Sequence, residues 1–222
     1  IMHTPNVRVP RKGGHNFGQI PQINVPRSAF DRSCGLKTTF DANDLVPIYL
    51  EEVLPGDTVN LRMSGFARIF SPLKAPIMDN LYLETFFFFV PNRLVWDNWQ
   101  KFCGEQVDPG DSIDYTIPIL TSGVASAAGN LINYMGVPIG VVPNTTDINA
   151  LPFRAYHLIY NEWFRDQNLI DSVDITKGNG PDSYVGHLVL RKRGKRHDYF
   201  TSALPWPQKD TVVPQVIGPV TG

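Results

Sequence analysis

Four consecutive phenylalanines, Phe86 to Phe89, lie in a largely apolar segment that ends at Pro91. Successive side chains of a β-strand point to opposite faces, so a strand that is apolar on both faces needs protein on both sides. Aromatic residues favour strands, and Pro91 has no backbone N–H to donate to a ladder. The segment therefore predicts a core strand, over about residues 81–90, of a β-domain with several layers.

Neighbouring segments also have strand patterns. Between Thr58 and Phe70, apolar residues alternate with polar, basic and aromatic ones, which is typical of a half-buried strand. Pro55 and Gly56 stand at the two central positions of a type II turn just before this segment. Further strands are predicted at residues 45–53, 185–190 and 198–201.

Two helices are predicted after the phenylalanines. The first follows Asn92, which serves as its N-cap, and ends at Gly104. The second covers about Pro152 to Arg165 and carries an aromatic stripe, a pattern that usually belongs to a core. The segment from Asp108 to Asn149 is rich in Gly, Pro, Ser, Thr and Asn, and it predicts a surface insertion or a partner-binding loop.

Glycine and proline are abundant, with 18 and 19 residues among 222, but they follow no collagen-like period. Prolines spread over residues 1–30 predict an extended arm that lies along other protein. No apolar run approaches the roughly 18 residues of a membrane span, and no signal peptide is recognisable. The two cysteines, Cys34 and Cys103, are too few for a disulfide framework and indicate a reducing, cytoplasmic compartment.

Motifs that carry chemistry are missing from the sequence. It has no Gly-rich phosphate loop, no Gly-x-Ser-x-Gly elbow and no zinc-ligand spacing, so we predict no enzymatic activity, no cofactor and no metal. Two weaker alternatives stay open. One is a hydrolase in which Asp198 orients His197 as a base; the other is a carbohydrate-binding β-sandwich that stacks sugars on Trp206 or Tyr184. A surface calcium site is a further option, with candidate ligands Asp41, Asp44 and Asp57.

Basic residues are concentrated in two places, although the formal net charge is only -1. Residues 1–30 contain four arginines and lysines and no acidic residue, and a second cluster covers residues 191–196. Such segments can follow a phosphate backbone without reading base sequence, while a solvated turn explains the second cluster equally well. The predicted nucleic-acid contacts are Arg8, Arg11, Lys12, Arg191, Lys192, Arg193, Lys195 and Arg196.

Several segments together resemble one known family. They include Pro-Arg-Ser-Ala-Phe-Asp-Arg-Ser at 26–33 and Asn-Glu-Trp-Phe-Arg-Asp-Gln-Asn at 161–168. The others are residues 37–42, 44–49, 52–58, 151–156 and 198–209. In this order they closely resemble the major capsid proteins of the gokushoviruses, a branch of the microviruses, which are small tailless bacteriophages with single-stranded DNA. The match extends from about residue 7 to 209 and is far more specific than any single motif.

The resemblance implies a mainly β fold, an antiparallel eight-stranded viral jelly roll with long loop and helical insertions. Residues 1–30 would form an N-terminal arm. Residues 31–222 would form the N-terminal part of the jelly-roll domain, with an insertion at about 91–180. The chain begins at Ile1 and ends at Gly222 without a closing strand, so we expect only part of the barrel here.

The resemblance also implies a structural function. The protein would self-assemble into a small T=1 icosahedral shell that encloses a circular single-stranded DNA genome. Its partners would be other copies of itself, the remaining C-terminal part of the same protein, the packaged DNA and a small basic DNA-binding virion protein, with no membrane. It would be located in the virion after assembly in the host cytoplasm.

Overall fold

The computed structural model describes residues 26–121, 123–143, 147–183, 188–194, 196, 198–200 and 202–203. Most of the predicted arm at 1–30 lies outside the described residues, as does the first half of the strand predicted at 185–190. The same holds for the predicted contacts Arg8, Arg11, Lys12 and Lys195. The chain consists of two units, Ile1–Lys37 and Thr38–Gly222.

In the first unit, residues 26–37 are exposed and have no regular secondary structure. A local turn forms at Asp31, whose carboxylate accepts hydrogen bonds from the hydroxyl and the backbone N–H of Ser33 at 2.5 and 2.9 Å. These two hydrogen bonds lower the pKa of the fully exposed Asp31 carboxyl. The turn is therefore favoured above the ordinary pKa of an aspartate and weakens as the pH falls below it.

The second unit places short helices and a two-stranded sheet among long irregular segments. A 3₁₀ turn covers Asn92–Leu94, α1 covers Trp99–Phe102, and α2 covers Leu131–Tyr134. Helix α3 covers Leu151–Ile159, and a π-helical turn continues it over Tyr160–Phe164. Strands β1 (Ile119–Leu120) and β2 (Ile148–Asn149) pair antiparallel, with Leu120 opposite Ile148. The described residues are thus mostly non-helical, which is compatible with the predicted β-rich class.

The main core lies where α2, α3 and the two strands meet. Asn130 caps α2 by accepting a hydrogen bond from the N–H of Asn133 at 3.0 Å. Pro152 occupies the first turn of α3, and the side chain of Asn149 accepts a hydrogen bond from the N–H of Leu151 at 2.9 Å. The buried members of this core are Leu120, Leu131, Ile132, Ala150, Phe153, Leu188 and Leu190.

The second predicted helix is confirmed, since α3 and its π-helical turn cover Leu151 to Phe164. Its aromatic stripe is mostly core, because Phe153, Tyr160 and Phe164 are buried, whereas Trp163 is 72% exposed. The π-helical turn coincides with two hydrogen bonds between the Asn161 side chain and the backbone of Val173, at 2.8 and 2.9 Å.

The first predicted helix is wrong in extent and in its cap. Asn92 lies inside the 3₁₀ turn, and the chain between this turn and α1 is not helical. The reason is that neighbouring segments take its backbone groups. The carbonyl of Val95 accepts a hydrogen bond from Arg154 at 2.9 Å, and the N–H of Asp97 donates to Lys177 at 3.0 Å. Tertiary hydrogen bonds thus replace those of a continuous helix.

The structure assigns no strand to residues 45–53, 58–70 or 81–90. A strand is stabilised by its ladder, and a segment without a neighbouring strand cannot form one. The type II turn before Thr58 is confirmed, because the N–H of Asp57 donates to Leu54 at 3.1 Å and Gly56 has a φ of 87°. The local turn is therefore formed, although the strands predicted on either side of it are not.

Candidate interaction surface and basic cleft

The phenylalanine segment, residues 84–89, directs alternate rings to opposite sides. The ring of Phe86 meets that of Phe164 edge-on, with centroids 5.2 Å apart. The ring of Phe88 lies 5.8 Å from both Trp163 and Phe164. Phe87 and Phe89, which alternate with them, are 58% and 79% exposed. One face of the segment therefore packs on the π-helical turn, while the other face is open.

Within the described residues, the prediction that both faces are covered is met on neither side in full, because the face that packs on the π-helical turn still leaves Phe86 46% and Phe88 37% exposed. The expected contact with Trp163 is present, but it covers the Phe88 ring only in part. Trp99, the other tryptophan expected there, instead packs at a tilt against Trp96 and Phe102 in a separate cluster. Phe87 and Phe89 stay exposed because successive side chains of a strand-like segment point to opposite sides. Such a segment can therefore direct only alternate rings to one helix.

Basic residues of the second cluster contact the covered face. The Arg193 guanidinium lies 5.3 Å above the Phe86 ring and 5.7 Å above the Phe164 ring, within the range of cation–π attraction. Both Arg193 and Arg196 form ion pairs with Glu84, at the start of the phenylalanine segment. The structure thus brings together part of the basic cluster and the aromatic run.

The backbone of the basic cluster pairs with the segment before the first predicted strand. Asp44 and Lys192 form an antiparallel bridge. On either side of it, the N–H of Leu45 donates to Arg191 and the N–H of Arg193 donates to Asn43, each at 2.9 Å. This isolated bridge joins residues that are far apart in the sequence, as does a parallel bridge between Leu120 and Asp182.

Tyr156 joins this pairing to α3. Its hydroxyl donates to the carbonyl of Leu45 at 2.9 Å and accepts a hydrogen bond from the N–H of Arg191 at 2.8 Å. Burial raises the pKa of the Tyr156 hydroxyl to about 12, because the charged phenolate would be desolvated. The Arg191 guanidinium in turn lies 5.9 Å above the ring of Tyr160.

A cleft of about 170 Å³ opens beside the cluster. Gly194 forms part of its wall, where its N–H donates to the carbonyl of Phe164 at 2.8 Å. A Cβ at this position would lie 3.0 Å from that carbonyl oxygen, so the close approach favours glycine. We call this site the basic cleft; its lining is Trp163, Phe164, Arg165, Asp166, Arg193, Gly194 and Arg196.

The sequence did not indicate the buried ion pair of Arg154 and Asp182. Arg154 Nε and Nη2 donate to the two carboxylate oxygens at 2.6 and 2.7 Å. The remaining guanidinium donors reach the carbonyls of Val95 and Gly178, both at 2.9 Å. Arg154 is 0% and Asp182 3% exposed. A charged residue inside an apolar helix face was the available signal, but nothing local identified its partner.

Most of the other candidate residues lie outside the described part of the chain. Asp198 is exposed, and its carboxylate accepts a hydrogen bond from the N–H of Phe200 at 2.9 Å, while His197 lies outside the described residues. The stacking candidates Tyr184 and Trp206 also lie outside them. Where the chain is described, Asp41, Asp44 and Asp57 belong to no group of three or more His, Cys, Asp or Glu side chains that could hold a metal ion. Within the same part of the chain, no helix is long and apolar enough to cross a membrane.

Comparisons with known proteins agree on one family. A family model described as Capsid protein (F protein) matches residues 18–221. The chain is similar to capsid protein VP1 of Bdellovibrio phage phiMH2K, with 50% identity over 94% of this chain and 38% of the relative. It is 41% identical to capsid protein VP1 of Chlamydia phage 1, over 91% and 37%. For capsid protein VP1 of Spiroplasma virus 4 the identity is 33%, over 88% and 37%. The chain thus spans less than two fifths of the length of each of these relatives.

Proposed function

The chain belongs to the phage capsid protein (F protein) family, and from this premise we propose that it is part of a major capsid protein that self-assembles into a small icosahedral shell. The resemblance to the gokushovirus capsid proteins is confirmed by the three VP1 relatives. The shell encloses a circular single-stranded DNA genome, and the protein resides in the virion after assembly in the host cytoplasm. Its role is structural, and it catalyses no reaction.

The observation that carries this proposal is the exposure of large apolar side chains in the predicted strands. Phe66 is 90% exposed, Phe70 78%, Tyr82 82% and Phe89 79%. Exposed apolar surfaces of this extent are typical of protein–protein interfaces, because water-exposed aromatic area is costly. A subunit that other protein covers on most sides needs surfaces of this kind.

We infer that the predicted strands belong to an eight-stranded jelly roll completed by the remaining part of the same protein. The antiparallel bridge between Asp44 and Lys192 supports this, since it pairs the two segments in a sheet geometry. The open face carrying Phe87 and Phe89 then packs against the opposing sheet or a neighbouring subunit. The jelly roll predicted at 31–222, with its insertion at about 91–180, stays a proposal on these grounds.

The packaged DNA is the second proposed partner. Lys192 and Arg196 are exposed, and Arg193 lies beside the aromatic rings of the basic cleft. Arginine binds phosphate through paired N–H groups, and exposed aromatic rings stack on unpaired bases. Part of the genome charge would be neutralised by a small basic virion protein and by basic residues of this chain. These residues are Arg191, Lys192, Arg193, Lys195 and Arg196, with Arg8, Arg11 and Lys12 from the arm.

Expression of the full-length protein tests the proposal. We expect particles of uniform diameter by electron microscopy and sedimentation. When the viral genome is replicated in the same cells, we expect nuclease-protected circular DNA inside them. A full-length protein that stays a well-folded monomer at high concentration would count against a shell-forming role. Shells that never protect DNA would remove the genome partner but keep the structural role.

A further inference from the structure

Glu84 lies at the centre of the contacts between the phenylalanine segment and the basic cleft. It shares a face with Phe86 and Phe88, because residues two apart in a strand-like segment point the same way. Its carboxylate pairs with both Arg193 and Arg196, while the two rings pack on Trp163 and Phe164. One acidic side chain therefore pairs with both arginines of the second basic cluster that line the basic cleft.

The side chains of Glu84, Arg193 and Arg196 are accessible to water, so another anion can reach the two arginines and replace the carboxylate. The Glu84 side chain is 35% exposed, that of Arg193 29% and that of Arg196 65%. Ion pairs this accessible to water contribute little net stability and are screened by salt. A phosphate offers arginine at least the same paired hydrogen bonds as a carboxylate, so it can replace Glu84 at both guanidinium groups.

The surroundings fit a nucleotide. Trp163, which is 72% exposed, borders the cleft and offers a ring for stacking. The acidic residue of the lining, Asp166, accepts a hydrogen bond from the N–H of Asn168 at 3.0 Å and is thereby held in its own turn. Glu84 is the carboxylate that pairs with the arginines, so its displacement would leave a basic, aromatic site.

We propose that Glu84 is an intrachain competitor of single-stranded DNA phosphate for Arg193 and Arg196. This inference rests on the proposed genome contact and adds a regulatory feature to it. In the free subunit the carboxylate occupies the arginines and limits indiscriminate binding of nucleic acid. At the high local phosphate concentration of a packaged genome, phosphate replaces it. The same exchange removes the ion pairs that join the phenylalanine segment to the basic cluster.

The test measures binding of fluorescent oligothymidylate to the full-length protein by anisotropy at several salt concentrations. Five proteins are compared: the wild type, Glu84→Gln, the double variant Arg193→Gln/Arg196→Gln, the triple variant that combines these three changes, and Glu105→Gln. Glu105 is exposed directly after the turn that follows α1, so its variant removes the same charge without touching the cleft. If the double variant fails to fold, Arg196→Gln alone replaces it, since Arg196 is the more exposed arginine.

We expect Glu84→Gln to bind oligothymidylate several-fold more tightly than Glu105→Gln, which differs from the wild type only by the general loss of one negative charge. The arginine variant should weaken binding and reduce the salt slope by about one unit for each lost phosphate contact. In the arginine-variant background, Glu84→Gln should give no gain, because the competitor has nothing left to release.

The possible failures are distinguishable. An unchanged salt slope in the arginine variant would overturn the genome contact at this cleft, and the role of Glu84 with it. A reduced slope together with equal affinities of Glu84→Gln and Glu105→Gln would overturn the role of Glu84 alone. Tighter binding of Glu84→Gln that persists in the arginine-variant background would show a nonspecific charge effect and would also reject the competition.

Discussion

At the scale of single residues, Arg154 and Tyr156 show how α3 organises segments that are distant in the sequence. Arg154 reaches Asp182 and the carbonyls of Val95 and Gly178, and Tyr156 joins Leu45 to Arg191. The sequence predicts that these residues belong to a helix with an apolar face. It cannot predict their partners, because a hydrogen bond over such separations leaves no local pattern.

Replacing Asp182 by asparagine should strongly destabilise the second unit. The Arg154 guanidinium would keep its charge but lose the carboxylate that compensates it at a site with 0% exposure. Removal of one partner of a buried ion pair typically costs about 3 to 5 kcal/mol. Denaturation of the full-length protein with guanidinium chloride would measure this loss of unfolding free energy. Asp171→Asn is the matched control at an exposed position and should change stability by less than about 0.5 kcal/mol.

Tyr156 should make stability fall at high pH. Its folded-state pKa of about 12 lies above the ordinary value of 10.0, so the unfolded chain loses the proton first. The protonated Tyr156 hydroxyl therefore contributes fully to the free energy of unfolding below pH 10. This contribution is lost as the pH rises towards 12 and amounts to about 2 to 3 kcal/mol for a shift of this size. Unfolding of the wild type and of Tyr156→Phe at pH 9 and 11 would isolate it.

The control for this experiment is Tyr82→Phe, since Tyr82 is 82% exposed. This variant should keep the pH dependence of the wild type. Tyr156→Phe should be less stable already at pH 9, because the carbonyl of Leu45 and the N–H of Arg191 lose their partner. A pH dependence that is the same in all three proteins would contradict the assignment to Tyr156.

At the scale of elements, the accuracy of the sequence-based predictions followed the range of the interactions. Helix α3 together with its π-helical turn was predicted almost to its ends, because its aromatic periodicity and Pro152 are local signals. The type II turn at Gly56 was predicted for the same reason. The helix predicted after Asn92 was wrong, since partners at Arg154 and Lys177 take the backbone groups that a helix would use.

The π-helical turn gives a prediction at this scale. The buried Asn161 side chain satisfies both the N–H and the carbonyl of Val173. Asn161→Ala should leave these two backbone groups unpaired and cost about 2 to 4 kcal/mol, at about 1 to 2 for each group. Amide hydrogen exchange should also accelerate at Val173. The exposed neighbour Glu162 provides the control, and Glu162→Ala should leave the exchange at Val173 unchanged.

At the scale of the whole molecule, the capsid family was recognisable from sequence, while the site geometry was not. The family is recognised from many short sequence segments in a fixed order, so its recognition needs no knowledge of the contacts between them. The basic cluster was also visible, but its ion pairs with Glu84 and its contact with Phe86 were not. Such contacts depend on how a strand-like segment packs on the π-helical turn after α3, which no periodicity specifies.

The open face of the phenylalanine segment gives the prediction that tests the molecule as a component of a larger assembly. Phe89 is 79% exposed, and its ring therefore contributes little to the stability of this chain by itself. If the rest of the protein or a neighbouring subunit covers it, Phe89→Ala should destabilise the assembled shell by about 3 to 5 kcal/mol per subunit, as for a buried phenylalanine. Guanidinium-induced dissociation, followed by light scattering, would measure the change.

Phe66→Ala, at a position with 90% exposure, tests in the same way whether the Thr58–Phe70 segment is buried too. Shells of Phe89→Ala with wild-type stability would mean that this ring still faces water in the particle, and the cover of the phenylalanine segment would then end at Trp163 and Phe164.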